Sequence, residues 1–273
     1  MNLLVARLFE GDIGHLLCDA GGMKIAVVQH EIVWEEPEAN FAALKPQIAE
    51  AAATGAGLIA LTETYSWGFT MNTDHANEPE GGPSTEFLKS QAVEVDAWVV
   101  GSIPILEPDA ERPNNRMVFA GPNGELHTYN KRHPFTFSGE DKSYLAGSTA
   151  KTIRIGDLRI SPMICFDLRF ADDFWALAND TDCYLVIANW PASRREHWRT
   201  LLRARAIENQ AWVVAANRTG EDPNVTYCGD SMIIDPFGEI VADAGESGPL
   251  VLSADVTLER VEKIRRDLSL IHI

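Results

Sequence analysis

Short apolar runs recur along the whole chain, each cut off from the next by a tight turn or by a stretch with helical spacing. Residues 23–29, 57–61, 97–103, 158–164, 183–188 and 212–217 are apolar, bounded by turn residues and too short for helices, so they read as buried strands. Residues 231–235 and 250–253 complete that set. Residues 38–53 carry Phe41, Leu44 and Ile48 at helical spacing, although Pro46 inside them predicts a kink or a later start. Residues 84–95 read as a helix with Ser84 as its N-cap, and residues 170–179 and 193–210 as two more. Segments 117–120 and 126–130 flank Pro122-Asn-Gly-Glu125, and Ile153 and 158–164 flank Gly156-Asp157, which gives two hairpins. Helices alternating with strands and hairpins predict helices covering mixed sheets in one α/β domain. No repeat or linker divides residues 23–267. Residues 1–22 have no clear period and read as an extension ahead of that domain, and residues 268–273 as a tail.

Charge removes several classes of function. Forty Asp and Glu against 23 Lys and Arg leave a net charge of −17. That balance repels phosphate backbones and anionic lipid, so neither nucleic acid nor a membrane is an expected partner. No apolar run reaches the ~18 residues of a membrane span. The first residues include Glu10 and Asp12 and no cationic start before an apolar core, so no secretory signal is expected. The four cysteines, Cys18, Cys165, Cys183 and Cys228, form no C-x-x-C, and no H-E-x-x-H occurs. A disulfide framework and a metal site are therefore unsupported, and free thiols suit a reducing, cytoplasmic setting.

Three reactive groups stand at the ends of strands. In Ser161-Pro-Met-Ile-Cys-Phe-Asp-Leu-Arg-Phe170 an apolar strand runs into Cys165, and strand ends are where α/β folds expose reactive groups. A free cysteine is more often buried and inert, and Cys183, inside its strand, fits that description better. Glu63 follows an apolar strand among aromatic residues, where partial desolvation suits a carboxylate to general-base work. Lys131 ends a third strand, in Tyr129-Asn-Lys-Arg-His-Pro-Phe135. Each signal is weak alone; the three together are more specific.

The order and wording of these segments resemble the nitrilase, or carbon–nitrogen hydrolase, superfamily, with its Glu–Lys–Cys triad. The likeness continues through Asn115-Arg116, Ala188-Asn-Trp-Pro-Ala192, His197-Trp198, Ala204 to Gln210, Asn217-Arg218 and Gly229-Asp-Ser231. It is nearest to the omega-amidase branch, which acts on amides of short 2-oxo acids; a deaminated-glutathione amidase is the sister reading. Two departures stand out: Thr62 and Pro134 occupy positions where the family usually has proline and leucine. The resemblance implies an α-β-β-α sandwich, a homodimer, no cofactor and no metal. It assigns the nucleophile to Cys165, with its pKa lowered by Lys131. Glu63 becomes the proton shuttle, and Lys131 with the Phe166 backbone N–H the oxyanion donors. Glu140 is implied as a supporting acid. Trp190, Phe69 and Phe135 would wall a narrow pocket. Arg169 would hold a substrate carboxylate, with Arg194 and Arg195 as alternatives and an Arg169–Asp167 bridge as the purely structural option. Arg195, Arg199 and Arg203 recur on one helical face, which reads as a solvated or subunit-contact surface. A non-catalytic scaffold and a thiol redox sensor are the competing classes.

Overall fold

The computed structural model describes residues 21–268. Fourteen strands are formed among them. They are β1 (Gly22–Gln29), β2 (Leu58–Ala60), β3 (Trp98–Ile105), β4 (Asn114–Ala120), β5 (Leu126–Asn130), β6 (Ile153–Ile155) and β7 (Leu158–Ile164). They continue as β8 (Cys183–Ala188), β9 (Trp212–Asn217), β10 (Thr219–Glu221), β11 (Thr226–Cys228), β12 (Met232–Ile234), β13 (Ile240–Asp243) and β14 (Leu250–Thr257). The helices are α1 (Pro37–Ala53), α2 (Pro83–Val95), α3 (Glu140–Ser143), α4 (Ala171–Leu177), α5 (Arg195–Asn209) and α6 (Leu258–Leu268).

Two six-stranded sheets result, ordered β14-β1-β2-β3-β4-β5 and β13-β12-β9-β8-β7-β6. Each has three parallel strands in its middle, β1-β2-β3 and β7-β8-β9, flanked by antiparallel ones. Period-two alternation assigns the faces of the first sheet. Ile25, Val27, Leu58, Ala60, Met117 and Phe119 pack toward the second sheet. Ala26, Val28, Ile59, Leu61, Val99 and Val118 pack under α1 and α2, against Phe41, Leu44, Ile48 and Leu88. Every residue of β8 and β9 is buried, because the second sheet is covered by the first on one face and by α4 and α5 on the other. The expected α-β-β-α layering is what forms. It stacks the carboxyl ends of β2, β7 and β8 at one place.

Several local expectations need correction. Pro46 neither breaks nor delays α1, which starts at Pro37; Pro46 and Ala42, whose carbonyl loses its partner, are both exposed to water. Ser84 is not the cap of α2. Gly82 holds that position with Pro83 at the first helical site, and the buried Glu78 carboxylate accepts from the Ser84 N–H at 2.8 Å and from the Ser84 hydroxyl. The basic stripe on α5 keeps a partly solvated face, with Arg203 exposed and Arg195 and Arg199 half-buried, but it is also paired within the chain. Arg195 and Arg199 both bond the buried Asp230, at 2.5 and 2.6 Å, Arg199 also reaches Asp243, and Arg203 donates to the Gly238 carbonyl. The extension lies outside the described residues except for Gly21 and Gly22. Gly22 already pairs with Thr257 in β1, and the Gly21 carbonyl accepts from Leu258 N–H, so the domain begins slightly earlier than residue 23. Of the tail, only Leu268 is described, as the end of α6.

Gly101 on β3 leaves room for the ring of Tyr65. A Cβ there would lie 2.6 Å from the ring of Tyr65, which is fully buried and anchored by its hydroxyl to the Ser84 carbonyl at 2.6 Å. Gly101→Ala should therefore destabilise the fold by about 1–3 kcal/mol through overpacking. A lowered urea midpoint at unchanged slope would record it.

Candidate active site

Glu63 lies three residues beyond β2, Lys131 directly after β5, and Cys165 directly after β7. The first two come from one sheet and the third from the other, so only the stacking of the sheets brings them together. Lys131 Nζ donates to Glu63 Oε1 at 2.8 Å and to both oxygens of Glu140 at 2.9 Å. All three side chains are at most 1% exposed. The Glu63 and Lys131 charges both act on the Cys165 thiol. Glu140, the first residue of α3, also accepts from the Phe135 N–H.

Glu63 is held from four directions. Its Oε1 accepts from Asn115 Nδ2 as well as from Lys131, and its Oε2 accepts from the Asn189 N–H at 2.8 Å and from Asn189 Nδ2 at 3.3 Å. Asn189, just past β8, also donates from Nδ2 to the Glu63 carbonyl at 2.8 Å. One asparagine thus ties the end of the second sheet to the end of the first. The turn ahead of Glu63 is fixed by Thr62, whose Oγ1 lies 2.9 Å from His30 Nε2. Burial lowers the His30 pKa to about 4, so the ring is neutral near pH 7 and its Nε2 accepts from the threonine.

Cys165 opens a 3₁₀ turn with its backbone in the left-handed region, at φ +47°. A residue with a Cβ takes that conformation only when its surroundings impose it. Asp167 does so here: fully buried, it accepts from Ile164 N–H, His133 N–H and the Tyr129 hydroxyl, at 2.8 to 2.9 Å. Arg169 is therefore not bridged to Asp167. Phe166 follows in the first turn, where backbone N–H groups have no intrahelical acceptor.

The electrostatics correct one expectation. Lys131 does pull the Cys165 pKa down, but burial first, and then the Glu63 charge, outweigh it and push the thiol well up. At rest the sulfur is a protonated thiol. Burial alone would lower the Lys131 pKa; the Glu140 and Glu63 charges outweigh it and hold the ammonium well above the ordinary lysine range. Burial, reinforced by Glu63, raises Glu140 against the pull of Lys131.

A cavity of about 790 Å³ opens over the thiol, and Cys165, Phe166, Phe69, Phe135, Trp190 and Arg169 all line it. It is roomier than the narrow slot the aromatic residues suggested. Arg169 lies over the Trp190 ring at 5.0 Å and bonds His197 Nδ1 at 3.0 Å, and Arg194 lies over Phe135 at 5.1 Å. Neither guanidinium has an ion-pair partner among the described residues; burial and then the Arg194 charge lower the Arg169 pKa. Arg195, paired with Asp230, is not in the lining. Cys183 is buried within β8 and Cys228 donates to Asp230, and neither lines the cavity that holds Cys165. Cys18 lies outside the described residues. Sequence reading quoted Asn115 and Asn189 without giving them work, because a lone amide has no diagnostic spacing. The available signal was a polar residue buried at the end of an otherwise apolar strand.

The carbon-nitrogen hydrolase family matches residues 24–266. The omega-amidase YafV of Yersinia enterocolitica is 37% identical, over 92% of this chain and 96% of its own. A 2-oxoglutaramate amidase of Bacillus subtilis is 29% identical, over 89% and 94%. Among solved structures, XC1258 of Xanthomonas campestris, a CN-hydrolase superfamily protein crystallised with an arsenic adduct in its active site, superposes with a TM-score of 0.86. It is 32% identical and covers 92% of this chain and 96% of its own. Family match, near full-length identity and a shared fold agree: this chain belongs to the carbon-nitrogen hydrolase family.

Proposed function

We propose that the protein is an omega-amidase, hydrolysing the terminal amide of a short 2-oxo dicarboxylic acid monoamide through a cysteine thioester. The observation that carries the substrate class is the pair of arginines without acid partners in the cavity that holds the thiol. Arg169 and Arg194 repel each other there, in a chain that carries −17 overall. A substrate carboxylate would relieve that repulsion through charge-assisted hydrogen bonds. The omega-amidase and 2-oxoglutaramate amidase among the relatives support the same choice.

The chemistry follows from the resting state. Glu63 takes the Sγ proton as the sulfur attacks the amide carbon, so no free thiolate need accumulate. The negative charge moves to the carbonyl oxygen, where a Lys131 N–H and the Phe166 N–H stabilise it. At rest all three Lys131 N–H donors are taken, two by Glu140 and one by Glu63, and the one facing Glu63 is released to the oxyanion as Glu63 takes up the thiol proton. Protonated Glu63 then passes its proton to the amide nitrogen, the C–N bond breaks, and ammonia leaves a thioester on Cys165. A water, deprotonated by Glu63, attacks the thioester carbon. The second tetrahedral adduct expels the sulfur, which recovers its proton from Glu63, and the 2-oxo dicarboxylate departs. Every proton taken is returned, and no metal or cofactor enters.

The cavity volume favours a second reading, an amide with a longer acyl group such as deaminated glutathione, because about 790 Å³ exceeds what a five-carbon acid fills. Ammonia release from 2-oxoglutaramate, 2-oxosuccinamate, succinamate and glutamine, with product analysis on deaminated glutathione, separates the two readings. Cys165→Ala should abolish all turnover; near-normal release from that variant would end the amidase reading. Glu63→Gln should lower kcat by about 10²–10⁴ and Lys131→Ala by about 10²–10³. Arg169→Ala and Arg194→Ala should raise KM for 2-oxo acid amides and leave neutral amides nearly unchanged. Equal loss on both substrate types would remove the arginines from carboxylate binding.

A further inference from the structure

Glu63 and Glu140 share one ammonium, with all three side chains at most 1% exposed, which leaves the pair of carboxylates one positive charge short. Among the described residues, one side chain besides Lys131 hydrogen-bonds to both. Asn115 Nδ2 lies 2.8 Å from Glu63 Oε1 and 3.4 Å from Glu140 Oε1. We propose that Asn115 is a positioning residue of the amidase reaction, whose amide N–H₂ holds the Glu63 carboxylate in place beside the Cys165 thiol. This inference rests on the amidase reading of the site.

Three observations carry it. The orientation of the amide is dictated, since the flipped rotamer would set its oxygen against two carboxylates. The price of that orientation is visible: Asn115 Oδ1 is buried and has no hydrogen-bond partner, so the residue is kept for its donor and not for its acceptor. Asn115 also fixes Lys131, whose N–H donates to the Asn115 carbonyl at 2.9 Å as the chain leaves β5. One residue of β4, on the face it shares with Met117 and Phe119, therefore sets both the lysine backbone and the glutamate head group. Asn115 is only 1% exposed and does not line the cavity, so it acts through Glu63 and not on substrate.

A donor to the charged form of a carboxylate lowers its pKa, so its loss raises it. The charged and titratable groups that act on Glu63 are Lys131, Glu140, Cys165, Tyr144 and Tyr227, Asp167 acts on Lys131 and Arg169 on Cys165, and none of these residues is changed in either variant. The test compares the wild type with Asn115→Leu, which lacks the donor, and Asn115→Asp, which is nearly isosteric and sets an acid in its place. The kcat/KM profile for 2-oxoglutaramate is measured across pH, beside the rate of Cys165 alkylation by iodoacetamide. The acidic limb of both profiles should move to higher pH, by about one unit in Asn115→Leu and further in Asn115→Asp. At pH 7 kcat should fall about 10- to 100-fold while KM stays nearly constant. Activity scaled down equally at every pH, with both limbs unmoved, would overturn the proposal and leave Asn115 a packing residue. If Asn115→Leu does not fold, the Asp variant decides alone. If the wild type releases no ammonia from the amide, the substrate reading fails, and the alkylation profile still decides for or against Asn115.

Discussion

A lysine ammonium stripped of water keeps its proton only among anions, and Lys131 is nearly completely buried between Glu63 and Glu140. Taking away one partner of such a pair leaves an uncompensated buried charge, a cost of about 3–5 kcal/mol. The rest of the centre is arranged around that constraint. Glu140 is itself clamped by the Phe135 N–H, which links the ion cluster to an aromatic wall of the cavity. Glu63 is clamped by two asparagines, one from each sheet. The three charges pair among elements of the first sheet, and the second sheet adds Asn189 to Glu63 and sets Cys165 beside the cluster.

The same cluster decides the state of the nucleophile. A thiol beside a lysine is usually expected to ionise. Here the lysine is already committed to two carboxylates, and Glu63 faces the sulfur with negative charge. Burial and that charge keep the proton on Cys165.

Outside the cluster, the charges are sorted by whether they find partners. Most arginines on α5 are neutralised by the chain's own acids: Arg195 and Arg199 by Asp230, and Arg205 by Glu208. Arg169 and Arg194 are the two that face the cavity, and they rest on aromatic rings instead. An acidic protein can recognise an acidic substrate in this way, by leaving a local positive charge unspent where the substrate enters.

The chain's own pattern determined the layers. Apolar runs such as residues 23–29 and 117–120 and helical spacing at Phe41, Leu44 and Ile48 specify surfaces that must be buried, and burial is what makes two covered sheets. The ends of two apolar runs likewise exposed Glu63 and Cys165 as candidates, since a polar group ending a buried strand is conspicuous in one dimension, and Lys131, which ends the mixed strand Leu126–Asn130, gained weight beside them. Local signals failed where a distant group intervened. Ser84 lost its capping role to Glu78, Pro46 was absorbed because its orphaned carbonyl faces water, and the arginine stripe found Asp230. Asn115 and Asn189 carried no signal of their own, because an amide becomes meaningful only through what stands 2.8 Å away. The protonation of Cys165 was beyond the sequence for the same reason. It is a balance between burial and the charges of Glu63, Lys131 and Glu140, and only the stacking of the two sheets sets their distances from the thiol.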